Sequence, residues 1–275
     1  MPDLLDVIWS WEPDAATLQE VPVEALDPMR TALGEHGWSM VAGDPAQERG
    51  DVSVVAWRRS ALRQRLPSMG LTEQTTGSNE PDLAKTSSVV TYADAGMDID
   101  AVTACLETIG DDGSPFVFSL TSYHGYWGAT RQGERMVELH ALDERVSRLD
   151  TAADVMCGDF NATRNEPGIR WLMGEEIAGD PVATNASTFW TEAQEVAVAL
   201  GRQDSPVCTT LNTGVAAETA EPHGINPALM PKRRIDFMVS RGWNYGKRGG
   251  WTGDVVVKEY DGLSDHALMV ADVID

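Results

Sequence analysis

Between residues 132 and 149 the apolar side chains Met136, Leu139, Leu142, Val146 and Leu149 recur at spacings of three and four, with charged residues between them. That period lines them along one stripe of a helix and leaves charge on the outer face. Such a stripe has to be buried, and apolar runs that read as strands lie on both sides of it, at residues 116–123 and 155–160. The helix therefore packs on a sheet, and the chain is of the α/β class. Elsewhere the same interleaving holds. Residues 4–11 and 28–36 read as helices, and residues 14–21, 52–57 and 87–92 as strands. A helix opened by proline follows at 167–176. A helix fits 188–200, and strands fit 235–239, 254–257 and 267–273. Residues 99–109 stay open, because their Ala and Leu favour helix while their position between strands favours sheet. Residues 66–85 and 207–225, rich in Gly, Pro, Ser and Thr, read as loops. No linker or repeat interrupts the pattern, so a single domain over residues 1–275 is expected.

A chain of 275 residues can bury a large core, and 42% hydrophobic content suits a soluble globular protein. Its first residues, MPDLLDVIWSWEPD, carry acids where a secretory leader needs positive charge, and no apolar run is long enough to span a bilayer. A cytoplasmic monomer is the expectation. Three cysteines, Cys105, Cys157 and Cys208, lack the spacing of a zinc site or a disulfide framework and read as buried thiols. Forty-three acids against 21 bases give a net charge of -22, a field that opposes tight non-specific binding to nucleic acid. A compact anionic substrate held through metal ions is compatible with it.

The chemistry-bearing residues gather at strand ends. In GDFN (158–161) Asp159 and Asn161 stand two apart, so that in a strand both look the same way while Phe160 enters the opposite layer. Two readings are equally open on this stretch alone: a ligand pair, or an Asx turn closing a buried strand. Glu20 ends a strand in LQE (18–20), Asp236 sits in RIDF (234–237) opposite apolar neighbours, and Asp265 and His266 precede a strand in SDH (264–266).

These motifs in this order, LQE, a histidine after a strand (His124), GDFN, RIDF and SDH, resemble the endonuclease/exonuclease/phosphatase superfamily of metal-dependent phosphoesterases, over nearly the whole chain. The resemblance implies a four-layer α/β sandwich in which two mixed, mostly antiparallel sheets pack face to face, flanked by helices, as in DNase I-like proteins. It implies a phosphoesterase, first of all a nuclease, on nucleic acid or a phosphorylated small molecule. The alternatives are a weakened relative kept as a binding domain, and a phosphatase of small molecules or lipids. In similar proteins the opening strand ends in an asparagine, whereas the first one here is Asn79, so the expectation is that this sequence lacks that first strand, either because the true start lies upstream or because the protein does without it.

Glu20, Asp159, Asn161 and Asp265 offer only oxygen donors, which suits Mg²⁺ or Mn²⁺ rather than zinc. His266 is the group whose charge changes near neutrality, and the resemblance implies that Asp236 fixes its tautomer. His124 matches a family position that donates to the phosphate or protonates the leaving group. Arg135, at the start of the long helix, either forks onto phosphate or makes a surface ion pair. Tyr126 and Trp127 either stack on a base or cover the core, covering being the commoner outcome.

Overall fold

A computed structural model describes residues 2–44, 50–65, 88–89, 99–109, 113–128, 130–175, 177, 189–209, 233–242, 250–258, 260 and 266–273. In chain order the elements are α1 (Pro2–Ser10), β1 (Ala15–Pro22), α2 (Leu26–Glu35), β2 (Trp38–Ala42), β3 (Asp51–Arg58), β4 (Arg63–Gln64), β5 (Ser88–Val89), β6 (Asp100–Ile109) and β7 (Pro115–His124). There follow α3 (Gln132–Val146), β8 (Ala153–Asp159), α4 (Pro167–Leu172), β9 (Thr191–Glu192), α5 (Ala193–Ala199), β10 (Asp236–Arg241), β11 (Trp251–Lys258) and β12 (Leu268–Val273). They form two compact units. A strand-rich unit comprises Glu12–Gly125 and Val137–Gly158, and a carboxy-terminal unit comprises Met1–Trp11, Tyr126–Met136 and Asp159–Asp275.

In the strand-rich unit one antiparallel sheet runs β1-β3-β2, and a second runs β4-β6-β7-β8 with β5 also on β6. β3 packs over β6 and β7, and β1 over β7, so the two sheets lie face to face. β3 is buried along nearly its whole length, which explains its unbroken apolar run: a strand flanked on both edges and covered on its faces has no side for water. β6 and β7 pair residue for residue from Asp100 opposite His124 to Ile109 opposite Pro115. This pairing decides the open stretch at 99–109 for sheet, since partners on both edges outweigh the helix preference of Ala and Leu. α3 then carries the chain to β8, which lies parallel to β7. Leu139, Leu142 and Val146 are buried as the stripe requires. The expected charged outer face is corrected at Arg135 and Glu138, both buried: Glu138 accepts from the Tyr123 hydroxyl at 2.7 Å.

Gly158 sits in left-handed backbone with φ +145°, and a Cβ there would stand 2.1 Å from the Tyr123 carbonyl oxygen, so no other residue fits.

In the carboxy-terminal unit β9 pairs antiparallel with β10, β11 with β12, and α5 packs on β9, β10 and β11. Glu192 opens α5 by accepting from the Glu195 amide at 2.8 Å. Its burial pushes the carboxyl up, against the pull of Arg234, whose Nη2 lies 3.0 Å away. Two expected spans are corrected here. The helix at 167–176 stops at Leu172, where Gly174 turns the chain with φ +76°, and that at 188–200 begins only at Ala193, after β9. β2 was not foreseen. The loop at 66–85, Asp265 and most of 207–225 fall outside the described residues. No helix among the described residues is long and apolar enough to cross a membrane.

Candidate active site

β8 ends at Asp159, and the two readings of GDFN turn out to be compatible. Asp159 Oδ1 accepts from the Asn161 amide at 2.7 Å, closing an Asx turn with Asn161 in left-handed backbone, φ +49°. The expected strand geometry is thereby corrected, because Asn161 lies beyond the strand and the turn sets its direction. Phe160 is fully buried edge-on against Phe237, ring centroids 5.4 Å apart, and its amide donates to the Ile235 carbonyl at 2.9 Å. These contacts pin the turn to the start of β10. Asp159 Oδ2 lies 3.7 Å from His266 Nε2.

Asp236, the first residue of β10, meets His266 Nδ1 with Oδ1 at 3.0 Å and Oδ2 at 2.9 Å. An ionised carboxylate can only accept, so Nδ1 carries the proton of this bond, and Nε2 is the ring nitrogen that faces Asp159. Ligand atoms of Asp159, Asp236 and His266 all fall within 4.8 Å of one another.

One contributor was missed in the sequence. Thr209, fully buried, accepts at Oγ1 from the amides of Ile235 and Asp236, both at 3.2 Å, and its carbonyl accepts from the Ala267 amide at 2.8 Å. It ties the residue after His266 to the strand that carries Asp236. No spacing rule marks a threonine in a loop, so only the fold reveals it.

Arg135 corrects both of its readings. It is 1% exposed, so it makes no surface pair, and its two terminal nitrogens are engaged inside the protein: Nη1 bonds the carbonyls of Tyr126 at 2.9 Å and Gly128 at 2.8 Å, and Nη2 bonds Glu166 Oε2 at 2.5 Å. Glu166 Oε1 accepts from the Thr163 amide at 3.1 Å, next to the Asx turn. Arg135 is thus a positioning group and not a phosphate fork.

In the strand-rich unit Glu20 and His124 meet. His124 Nε2 is 3.4 Å from Glu20 Oε1, and Nδ1 is 3.3 Å from Asp100 Oδ2. Asp100 is 2% exposed, and its Oδ1 accepts from the Ser53 amide at 2.9 Å. This second acid–histidine pair was not foreseen, because Asp100 acquires meaning only from its register opposite His124. Glu20 does not end its strand as expected. It lies in a bulge, where the β1–β3 register slips between Leu18 and Val21, with φ +54° and its side chain 66% exposed. A glutamate in left-handed backbone is strained, and a bulge that re-aims a side chain is a common device beside reactive groups.

A sequence profile of the Endonuclease/Exonuclease/phosphatase family matches residues 3–266. A search of the curated proteins finds none that matches the chain. Among solved structures, D. rerio TDP2 complexed with single strand DNA product is similar at TM-score 0.60 and 13% identity, covering 98% of this chain and 89% of that one. The human Nocturnin catalytic domain with bound sulfate anion is similar at TM-score 0.54 and 15% identity, covering 98% and 85%. An endonuclease/exonuclease/phosphatase from Bacteroides vulgatus is similar at TM-score 0.58 and 16% identity, covering 98% and 88%. The fold is the DNase I-like α/β fold expected from the motifs.

Proposed function

The chain belongs to the endonuclease/exonuclease/phosphatase family, matched over residues 3–266, and on that premise we propose that it is a divalent-cation-dependent phosphoesterase acting as a nuclease. The observation that carries this reading is His266, gripped at Nδ1 by Asp236 at 2.9 and 3.0 Å with Nε2 facing Asp159 Oδ2 at 3.7 Å. That last distance is wider than a direct hydrogen bond.

Hydrolysis of a phosphate ester needs charge on the phosphate neutralised and a proton removed from the attacking water. Bound Mg²⁺ or Mn²⁺ would supply the first. Asp159 Oδ2 and the Asn161 side chain present hard oxygen donors for such an ion, and Glu20 and Asp265 are ligands by family resemblance. His266 Nε2 takes the water's proton, and Asp236 stabilises the imidazolium that results. His124, backed by Asp100, donates to phosphate or leaving group by the same resemblance. The structure of D. rerio TDP2 with single strand DNA product supports a nucleic-acid strand as substrate. The span of the family match supports one functional domain over residues 1–275.

Hydrolysis of bis-p-nitrophenyl phosphate with Mg²⁺ or Mn²⁺ tests the proposal. Asp159→Ala and His266→Ala are expected to lose about 10²-fold or more of the rate. Equal rates in the variants and the parent would sink it.

A further inference from the structure

Trp127 is 65% exposed, more than any other large apolar side chain of the described residues, so it does not cover the core. Its neighbour Tyr126 is only half-buried, with the Arg131 guanidinium 5.9 Å from its ring centre. The backbone around Trp127 is nevertheless held tightly. Arg135 Nη1 draws in the carbonyls on either side of it, Tyr126 at 2.9 Å and Gly128 at 2.8 Å, which leaves the indole at the apex of a clamped loop. Gly128 permits this with φ +115°, a conformation other residues rarely adopt. The same guanidinium bonds Glu166 at 2.5 Å, and Glu166 bonds the Thr163 amide at 3.1 Å, two residues past Asn161. The buried guanidinium and the part-buried Glu166 thereby tie the loop that displays the tryptophan to the segment that follows the Asx turn of Asp159.

We propose that Trp127 is a stacking platform for an unpaired nucleobase of the substrate strand, mounted on a loop that Arg135 and Glu166 tie to the segment following the Asp159–Asn161 turn. The proposal deepens the phosphoesterase reading and rests on it. A chain of net charge -22 gains little from counterion release on binding a polyanion, so the strand needs a contact that does not depend on charge. An indole face meets that need with any base, and a preclamped loop spares the cost of ordering it on binding. Duplex hides its base faces, so the ligand is single-stranded.

The test is equilibrium binding of octathymidylate and of an abasic strand of equal length, with Ca²⁺ replacing Mg²⁺ to hold back turnover. Trp127→Ala is expected to weaken octathymidylate about 5- to 150-fold, with the abasic strand unchanged and Trp127→Phe within about threefold of the parent. Equal affinity of Trp127→Ala and parent for octathymidylate, an equal loss on both strands, or a parent that binds neither strand overturns the proposal. Hydrolysis measured alongside keeps the two readings apart. An inactive parent with base-dependent loss in Trp127→Ala sinks the activity and keeps the platform, whereas an active parent with no such loss does the reverse.

Discussion

Asp236 reaches His266 Nδ1 with both carboxylate oxygens, and that bond decides which ring nitrogen can take a proton. Asp236→Asn keeps the size of the side chain but removes the charge that stabilises the imidazolium, and its amide can turn to favour the other tautomer. On bis-p-nitrophenyl phosphate kcat should fall about 10²- to 10⁴-fold with KM little changed. A melting temperature close to that of the parent would separate this from unfolding, and an unchanged kcat would remove His266 as the base. This pair was legible in the sequence through the family resemblance that RIDF and SDH carry, each holding its residue within a short motif. Asp100 and Thr209 were not. Asp100 faces His124 only through the β6–β7 register, and Thr209 acts through a side chain and a carbonyl that close a loop onto β10 and His266's neighbour. Such roles are made by contacts distant in sequence, which local pattern does not encode.

At the scale of elements, periodicity found α3 but misjudged what its first turns do. A stripe of apolar residues says which face is buried, not which polar residues follow it inward. Arg135 and Glu138 do so because Glu166 and the Tyr123 hydroxyl await them. The sequence was likewise undecided at β6, where Ala and Leu argued for helix until partners on both edges were counted. Arg135 also gives this scale its prediction. Arg135→Ala strips Glu166, a part-buried carboxylate, of its partner and frees two carbonyls, and because water reaches Glu166 the expected cost is about 1–3 kcal/mol rather than that of a fully buried pair. Urea unfolding should show that loss in midpoint, and a shift under about 1 kcal/mol would mean that water replaces the guanidinium without penalty.

For the whole molecule, charge was fully legible in composition, whereas the division into two units that each draw on separated stretches of chain was not. Charge and burial together fix how stability should depend on pH. With a net charge of -22, the folded chain repels itself, and each proton lost above neutrality adds to the repulsion. Two buried thiols act in the same direction. Burial pushes Cys157 up to about 12 and, with the Asp154 charge adding to it, Cys105 up to about 11, from an ordinary 9.0. Between those values the unfolded chain gives up thiol protons that the folded chain keeps, so stability falls as pH rises. Both effects predict a lower melting temperature at about pH 10 than at about pH 7.5, but only the first is long-ranged enough for salt to screen. Raising KCl from about 10 to about 150 mM shortens the screening length from about 30 to about 8 Å and should recover part of the loss. The unrecovered part should shrink in Cys157→Ala relative to its own value near neutrality, because the variant has no thiol there to ionise on unfolding. If salt alone restored the whole loss, the buried thiols would have no share in it.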